Sequence, residues 1–196
     1  MSMAMLLACT VAKAQIRNLS LGYAPLGYNH VNISLDDEEY KYDYKSYWNA
    51  NLGYERQFKG MVTLFELGYS KATFDKYDLD GKSEWFEPAQ TADLTTMSFM
   101  AFAGKTINAQ KRIQLPLYFG IGGDYIHGGP MHNLTFDFGL KARLKFYITD
   151  KIGIFGGATG RLGFGSKKAS EDSKSSRYYT IGTTTWYVDA GLVFAI

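Results

Sequence analysis

The stretch LTFDFGLKARLKFYI, Leu134 to Ile148, decides how this chain folds. Its even positions, Leu134, Phe136, Phe138, Leu140, Ala142, Leu144, Phe146 and Ile148, are all apolar. Its odd positions include Thr135, Asp137, Gly139, Lys141, Arg143 and Lys145. Side chains alternate across a strand, so this period of two predicts one strand with a greasy face and a charged face. The apolar face is long enough to cross a bilayer as a tilted strand, which needs about 9–11 residues.

Seven further segments repeat the alternation. Near Ile16 to Pro25, Leu19, Leu21 and Tyr23 oppose Ser20 and Gly22. From about Tyr44 to Phe58, Trp48, Ala50, Leu52 and Tyr54 oppose Asn49, Asn51, Gly53 and Glu55. Over about Met61 to Phe74, Phe65, Leu67 and Tyr69 oppose Glu66, Gly68 and Ser70. Over about Asp93 to Ile107, Met97, Phe99, Ala101 and Ala103 oppose Thr96, Ser98 and Gly104, with Met100 and Phe102 as misfits on the polar face. In RIQLPLYFGIGGDY, Ile113, Leu115, Leu117, Phe119 and Ile121 oppose Gln114, Tyr118, Gly120 and Asp124. Ile152 to Phe164 places Ile154 on one face and Thr159 and Arg161 on the other. The chain closes on WYVDAGLVFAI, where Trp186, Val188, Ala190, Leu192, Phe194 and Ile196 form the apolar set and Asp189 stands opposite.

The connections alternate in length. Those at 58–60, 108–111 and 149–151 are short, whereas those at about 26–43, 75–92 and 165–178 are long and polar. Short turns at one end and long loops at the other is the layout of an outer-membrane barrel, so the expected fold is an all-β, eight-stranded antiparallel up-and-down transmembrane barrel. Alternation alone also fits a soluble barrel with the apolar face inward, a periplasmic ligand-binding barrel. Aromatics near strand ends (Trp48, Tyr54, Phe58, Tyr69, Phe146, Phe164, Trp186) and the length of the sixth segment turn the apolar face toward lipid. The charged positions Glu55, Glu66, Asp124, Asp137, Lys141, Arg143, Lys145, Arg161 and Asp189 then form a salt-bridged interior, since eight strands leave room for side chains and little else. Arg56 and Lys71, the charges on the lipid side, fall near strand ends.

Composition agrees. The chain is 46% hydrophobic and 16% aromatic, with 21 glycines and 4 prolines, a mix that suits pleated strands and turns. A net charge of +2 with no basic cluster argues against nucleic acid as a partner. No apolar run reaches the roughly 18 residues of a membrane-spanning helix. Residues 1–14 carry a short apolar run and an Ala-Lys-Ala end, so 1–14 is expected to be a signal peptide and 15–196 the barrel domain. Cys9, the one cysteine, would leave with that leader; the rival reading makes it the acylated residue of a lipoprotein.

With the Ala-Lys-Ala-Gln junction, eight alternating strands and the terminal WYVDAGLVFAI, the chain resembles the small outer-membrane β-barrel proteins of the OmpA/OmpX-like class, particularly the Bacteroidetes type. That resemblance implies that Trp186, Val188, Ala190, Leu192, Phe194 and Ile196 act as a sorting signal for the barrel-assembly machinery. Ile196 departs from the terminal phenylalanine usual in that class.

Three candidate sites stand outside the barrel pattern. The Tyr-rich segment LDDEEYKYDYKSYW offers Tyr40, Tyr42 and Tyr44 as a loop surface for an extracellular protein or glycan. His127 and His132 with Asp124 flank one connection, where a lipid A deacylase would place its catalytic groups; no serine is near, and Thr135 is the closest hydroxyl. Asp78, Asp80, Gly81 and Glu87 partly match a calcium loop whose first position is filled by Lys76. The expected function is a structural or adhesive outer-membrane protein, non-enzymatic and without cofactor, embedded in outer-membrane lipid and acting through its outer loops. The alternatives are the lipid-modifying enzyme and the soluble ligand-binding barrel.

Overall fold

A computed structural model describes residues 16–35, 38–80, 93–108, 112–128, 131–168 and 178–196. They form eight strands: β1 (Ile16–Leu35), β2 (Glu38–Phe58), β3 (Met61–Asp80), β4 (Leu94–Ile107), β5 (Ile113–Gly128), β6 (Met131–Tyr147), β7 (Ile152–Lys168) and β8 (Tyr178–Ala195). Each pairs antiparallel with the next, and β1 pairs with β8, so the sheet closes. Closure leaves no edge of unpaired backbone groups, the condition for strands to stand in hydrocarbon. The expected leader, 1–14, lies outside the described residues.

Between β2 and β3, Phe58 faces Met61 across Lys59 and Gly60, whose φ angles are 47° and 81°. Two consecutive positive φ values are the type I′ geometry whose twist matches an antiparallel hairpin. This fixes the short-turn end of the barrel.

The other end is longer than the sequence pattern indicates. β1, β2 and β3 run for 20, 21 and 20 residues. A strand rises about 3.3 Å per residue, so each is about twice the length a bilayer crossing requires. Residues 26–43, a long polar connection whose pattern leaves loop and extended strand both open, are mostly strand: Gly27 to Leu35 pairs with Ser46 to Glu38 in continuous register. β3 likewise continues to Asp80, and β7 to Lys168, into stretches read as loop.

The extension has inverted polarity, and irregularities in β1 and β2 produce the inversion. Below them, Asn18, Ser20, Asn49, Asn51, Glu55 and Gln57 face inward, while Leu19, Leu21, Tyr23 and Leu52 face outward. The register of β1 against β8 shifts between Tyr23 and Leu26, and that of β2 against β3 shifts between Ser46 and Trp48. One extra residue on a strand exchanges its two faces. Above the shifts, Val31, Ile33, Tyr40, Tyr42 and Tyr44 point inward, and His30, Asn32, Lys41 and Asp43 occupy the outward positions. The lower barrel thus has a polar inside and greasy outside, and the upper barrel has the reverse.

Candidate functional site: the charged interior and the outer rim

All nine charged residues of the alternating pattern lie inside, between 1% and 6% exposed. β6 supplies three cations in a row on its inward face. Lys145 Nζ donates to Glu55 of β2 at 2.5 Å from Oε1, and the Glu55 carboxylate also accepts from Asn18 Nδ2 at 2.9 Å and from the Tyr118 hydroxyl. Lys141 Nζ reaches both Glu66 oxygens at 2.8 Å and lies 3.3 Å from Asp189. Arg143 Nη2 sits between the same two carboxylates, 2.5 Å from Glu66 and 3.1 Å from Asp189, with its guanidinium 4.4 Å from the centre of the Phe155 ring.

A second group lies nearer the outer rim. Arg161 Nη1 donates to Asp124 at 2.7 Å and stands 3.8 Å from Asp137, which also accepts from the Thr135 hydroxyl at 2.7 Å. A buried charge is costly unless it is paired and hydrogen-bonded. Here each of the nine has an opposite partner, from the neighbouring strand for Arg161 and Asp137 to strands on the far side of the barrel for Lys145 with Glu55 and Lys141 with Glu66. The bridges from β6 to β2 and β3 span the lumen.

Apolar layers cap the charged one. Val62, Leu64, Met100, Phe102 and Tyr118 cluster inside, as do Tyr147, Phe155 and Val193. Met100 and Phe102, the misfits of the alternation, fill interior volume beside the charges; Phe102 packs edge-on to Tyr118 at 6.1 Å. At the long end Val31, Ile33, Tyr40, Tyr42, Tyr44, Ala72, Leu94, Ile126 and Ile181 form a third cluster, with Phe74 and Tyr179 against it. Small residues make room for the bulk. A Cβ on Gly157 would stand 2.7 Å from Asp189 Oδ1 and 2.8 Å from Arg143 Cγ, and one on Gly120 would meet Phe102 at 2.3 Å.

The outer wall is greasy where the inside is charged. Leu140, Leu134, Phe136, Phe119, Leu162 and Leu192 are each between 44% and 69% exposed. Around the level of the register shifts it is ringed by aromatics: Tyr28 stacks on Trp186 at 6.2 Å and Trp48 meets Tyr69 edge-on at 5.3 Å. Arg56 stands outward near the short-turn end, and Lys71 pairs with Trp48 at this ring. An apolar band closed by an aromatic girdle is the surface of a barrel in lipid. The soluble alternative, with its apolar face inward throughout, is not the observed arrangement.

Beyond the ring the outward surface is polar and cross-linked. His30 Nδ1 lies 2.6 Å from Asp43, Lys45 Nζ 2.7 Å from Asp75 and Lys41 Nζ 3.0 Å from Glu39. The hydrogen bond from Asn32, and then Lys41, hold the Glu39 carboxyl below its usual range.

Two candidate sites are corrected. Tyr40, Tyr42 and Tyr44, expected as a contact surface, are 1%, 9% and 5% exposed and face the interior. Their parity matched the outward residues of β2, and the bulge near Tyr47 reversed it. His127 and Asp124 belong to one strand three residues apart, so they lie on opposite faces of the wall: His127 is outside, Asp124 is inside on Arg161, and Thr135 is inside on Asp137. The hydrolase constellation is not assembled. His127 and His132 do come together, directly opposite across β5 and β6. In the calcium-loop candidate, Lys76, Asp78 and Asp80 belong to strand β3, while Gly81 and Glu87 lie outside the described residues. Among the described residues no three His, Cys, Asp or Glu side chains gather as a metal site. Trp186, Val188, Ala190, Leu192, Phe194 and Ile196 all face outward on or just beyond β8.

No protein-family model matches the chain, and no curated protein matches it in sequence. Its fold is nevertheless shared with solved structures. The outer membrane protein OprG of Pseudomonas aeruginosa aligns at 9% identity over 94% of this chain and 97% of that one, with a TM-score of 0.54. The outer membrane protease OmpT of Escherichia coli aligns at 8% identity over 92% and 97%, with a TM-score of 0.50. Neisserial surface protein A aligns at 11% identity over 91% and 97%, with a TM-score of 0.45. At these identities the likeness is one of fold, and OprG and OmpT carry it. With its closed sheet, lipid-facing band and paired interior charges, this chain is an eight-stranded transmembrane β-barrel of the outer-membrane type.

Proposed function

We propose that this barrel is a non-enzymatic outer-membrane protein whose interior is closed by side chains. Its role is exerted by the part of β1, β2 and β3 that projects beyond the lipid band. The observation that carries this reading is the inversion of polarity along those strands. An extension that served only as a connector would not require its own apolar interior. Here Tyr40, Tyr42, Tyr44 and Ile33 pack inside, stiffen the projection and hold a polar outer face in fixed geometry. A rigid, preorganised surface loses little entropy on binding. The ligand class it suits is an extracellular protein or glycan met through charged and hydroxyl groups.

The interior supports closure of the barrel, because salt bridges from β6 to β2, β3 and β8 cross the space a solute would use. The separation of His127 from Asp124 speaks against a lipid-modifying activity. The outward apolar row of β8, from Trp186 to Ile196, is the segment we assign as the signal read by the assembly machinery.

Cells or vesicles displaying the barrel should bind an extracellular-matrix or glycan array, and reversing outward charges with K41E and K45E should abolish that binding while insertion is retained. Binding that survives both reversals would overturn this reading of the surface.

A further inference from the structure

At the long end of the β5–β6 hairpin two imidazoles converge. His127 and His132 are directly opposed in the register, their Nδ1 atoms are 2.8 Å apart and their ring centres 4.2 Å apart. We propose that this pair is a two-histidine site for a divalent transition metal of the imidazole-preferring class, taking Cu2+ most tightly and Zn2+ less so.

The backbone fixes the pair. Ile126 faces Asn133 on one side and Gly128 faces Met131 on the other, so both Cα positions are locked by flanking ladder pairs. Rigid placement matters because a chelate gains affinity when its donors need no ordering. The separation also fits. Metal–imidazole bonds are about 2.0–2.1 Å, and two of them at a right angle place the nitrogens about 3 Å apart.

The surroundings make the site accessible. Both rings are exposed on the outward face, whereas the nearby charges Asp124 and Arg161 are bonded to each other on the inner face. The next outward residues along the strands are Tyr125 and Leu134, at the upper limit of the apolar band. The metal would therefore sit at the rim, in contact with solution. No third His, Cys, Asp or Glu joins the pair among the described residues, so water or an outside ligand completes the coordination. A two-imidazole site of this kind follows the usual order of divalent affinities, with Cu2+ at its peak.

The test uses the folded, tag-free barrel in detergent, titrated with CuCl2 and followed by electron paramagnetic resonance and calorimetry. One Cu2+ per barrel with two-nitrogen coordination is expected. H127A or H132A should weaken binding by at least about tenfold and leave a one-nitrogen spectrum, since each removes half the chelate. H30A, at the chain's third histidine, should change nothing. The heat-dependent gel mobility of each variant verifies that it is folded. A two-nitrogen signal that persists in the double variant H127A/H132A, or wild-type binding no tighter than that variant's, would overturn the proposal.

Discussion

Lys145 and Glu55 stand on strands that are not neighbours, β6 and β2, and their side chains meet at 2.5 Å inside the barrel. Such a pair has two distinct costs when altered. Removing one member leaves an uncompensated charge, whereas replacing both with apolar groups removes the desolvation penalty as well.

Glu55→Ala should therefore destabilise the folded barrel by about 3–5 kcal/mol, the range for breaking a buried ion pair from one side. Glu55→Leu combined with Lys145→Met should recover most of that loss. Urea unfolding of the barrel in lipid vesicles, followed by tryptophan fluorescence, checks both. A double variant as unstable as the single one would mean that the pair does not act as a unit.

Gly157 and Gly160 are three residues apart on β7 and so occupy opposite faces. A methyl on Gly157 meets Asp189, Arg143 and the Ala142 carbonyl, whereas one on Gly160 meets nothing within 4 Å. Gly157→Ala should lower stability by about 1–3 kcal/mol, the usual cost of overpacking. Gly160→Ala should be neutral. The same unfolding assay separates them.

An arginine at Leu140, 65% exposed in the middle of the lipid band, should cost about 2–4 kcal/mol of barrel stability in vesicles. At Thr73, outward on β3 above the aromatic ring, the same residue should cost about 0–1 kcal/mol. Equal costs at the two positions would contradict the assigned membrane level.

Burial in the projecting cluster raises the phenol pKa values of Tyr42 and Tyr44 above the ordinary value. The folded state thus favours the protonated form. Its contribution to stability is complete below about pH 10, where the unfolded phenol titrates, and is lost as pH rises further. Spectrophotometric titration should show these tyrosines ionising only above pH 10, and the projection should lose protection from proteolysis over the same range. Normal titration of every tyrosine would argue that the cluster is open to water.

The lower barrel was legible in the sequence because β6 keeps one unbroken period of two from Leu134 to Phe146, and the charges share its other parity. The upper barrel was not legible in the same way. A bulge adds a residue without changing composition, so Tyr40, Tyr42 and Tyr44 shared the parity of Leu52 and took the opposite face. Pro25 and the doubled Tyr47-Trp48 were the local irregularities that marked the shifts. The separation of His127 from Asp124 was within reach, since three residues along a strand always means opposite faces. The meeting of His127 with His132 needed the hairpin register, which depends on where the turn falls.

The central claim is a closed barrel standing in the outer membrane with its apolar wall in lipid. Its most direct test is the gel mobility of the protein from isolated outer membranes, run in SDS with and without boiling. The account predicts a membrane-fraction band that migrates faster unboiled, because the paired strands and bridged interior resist the detergent. A single, heat-independent band in the soluble periplasmic fraction would contradict it.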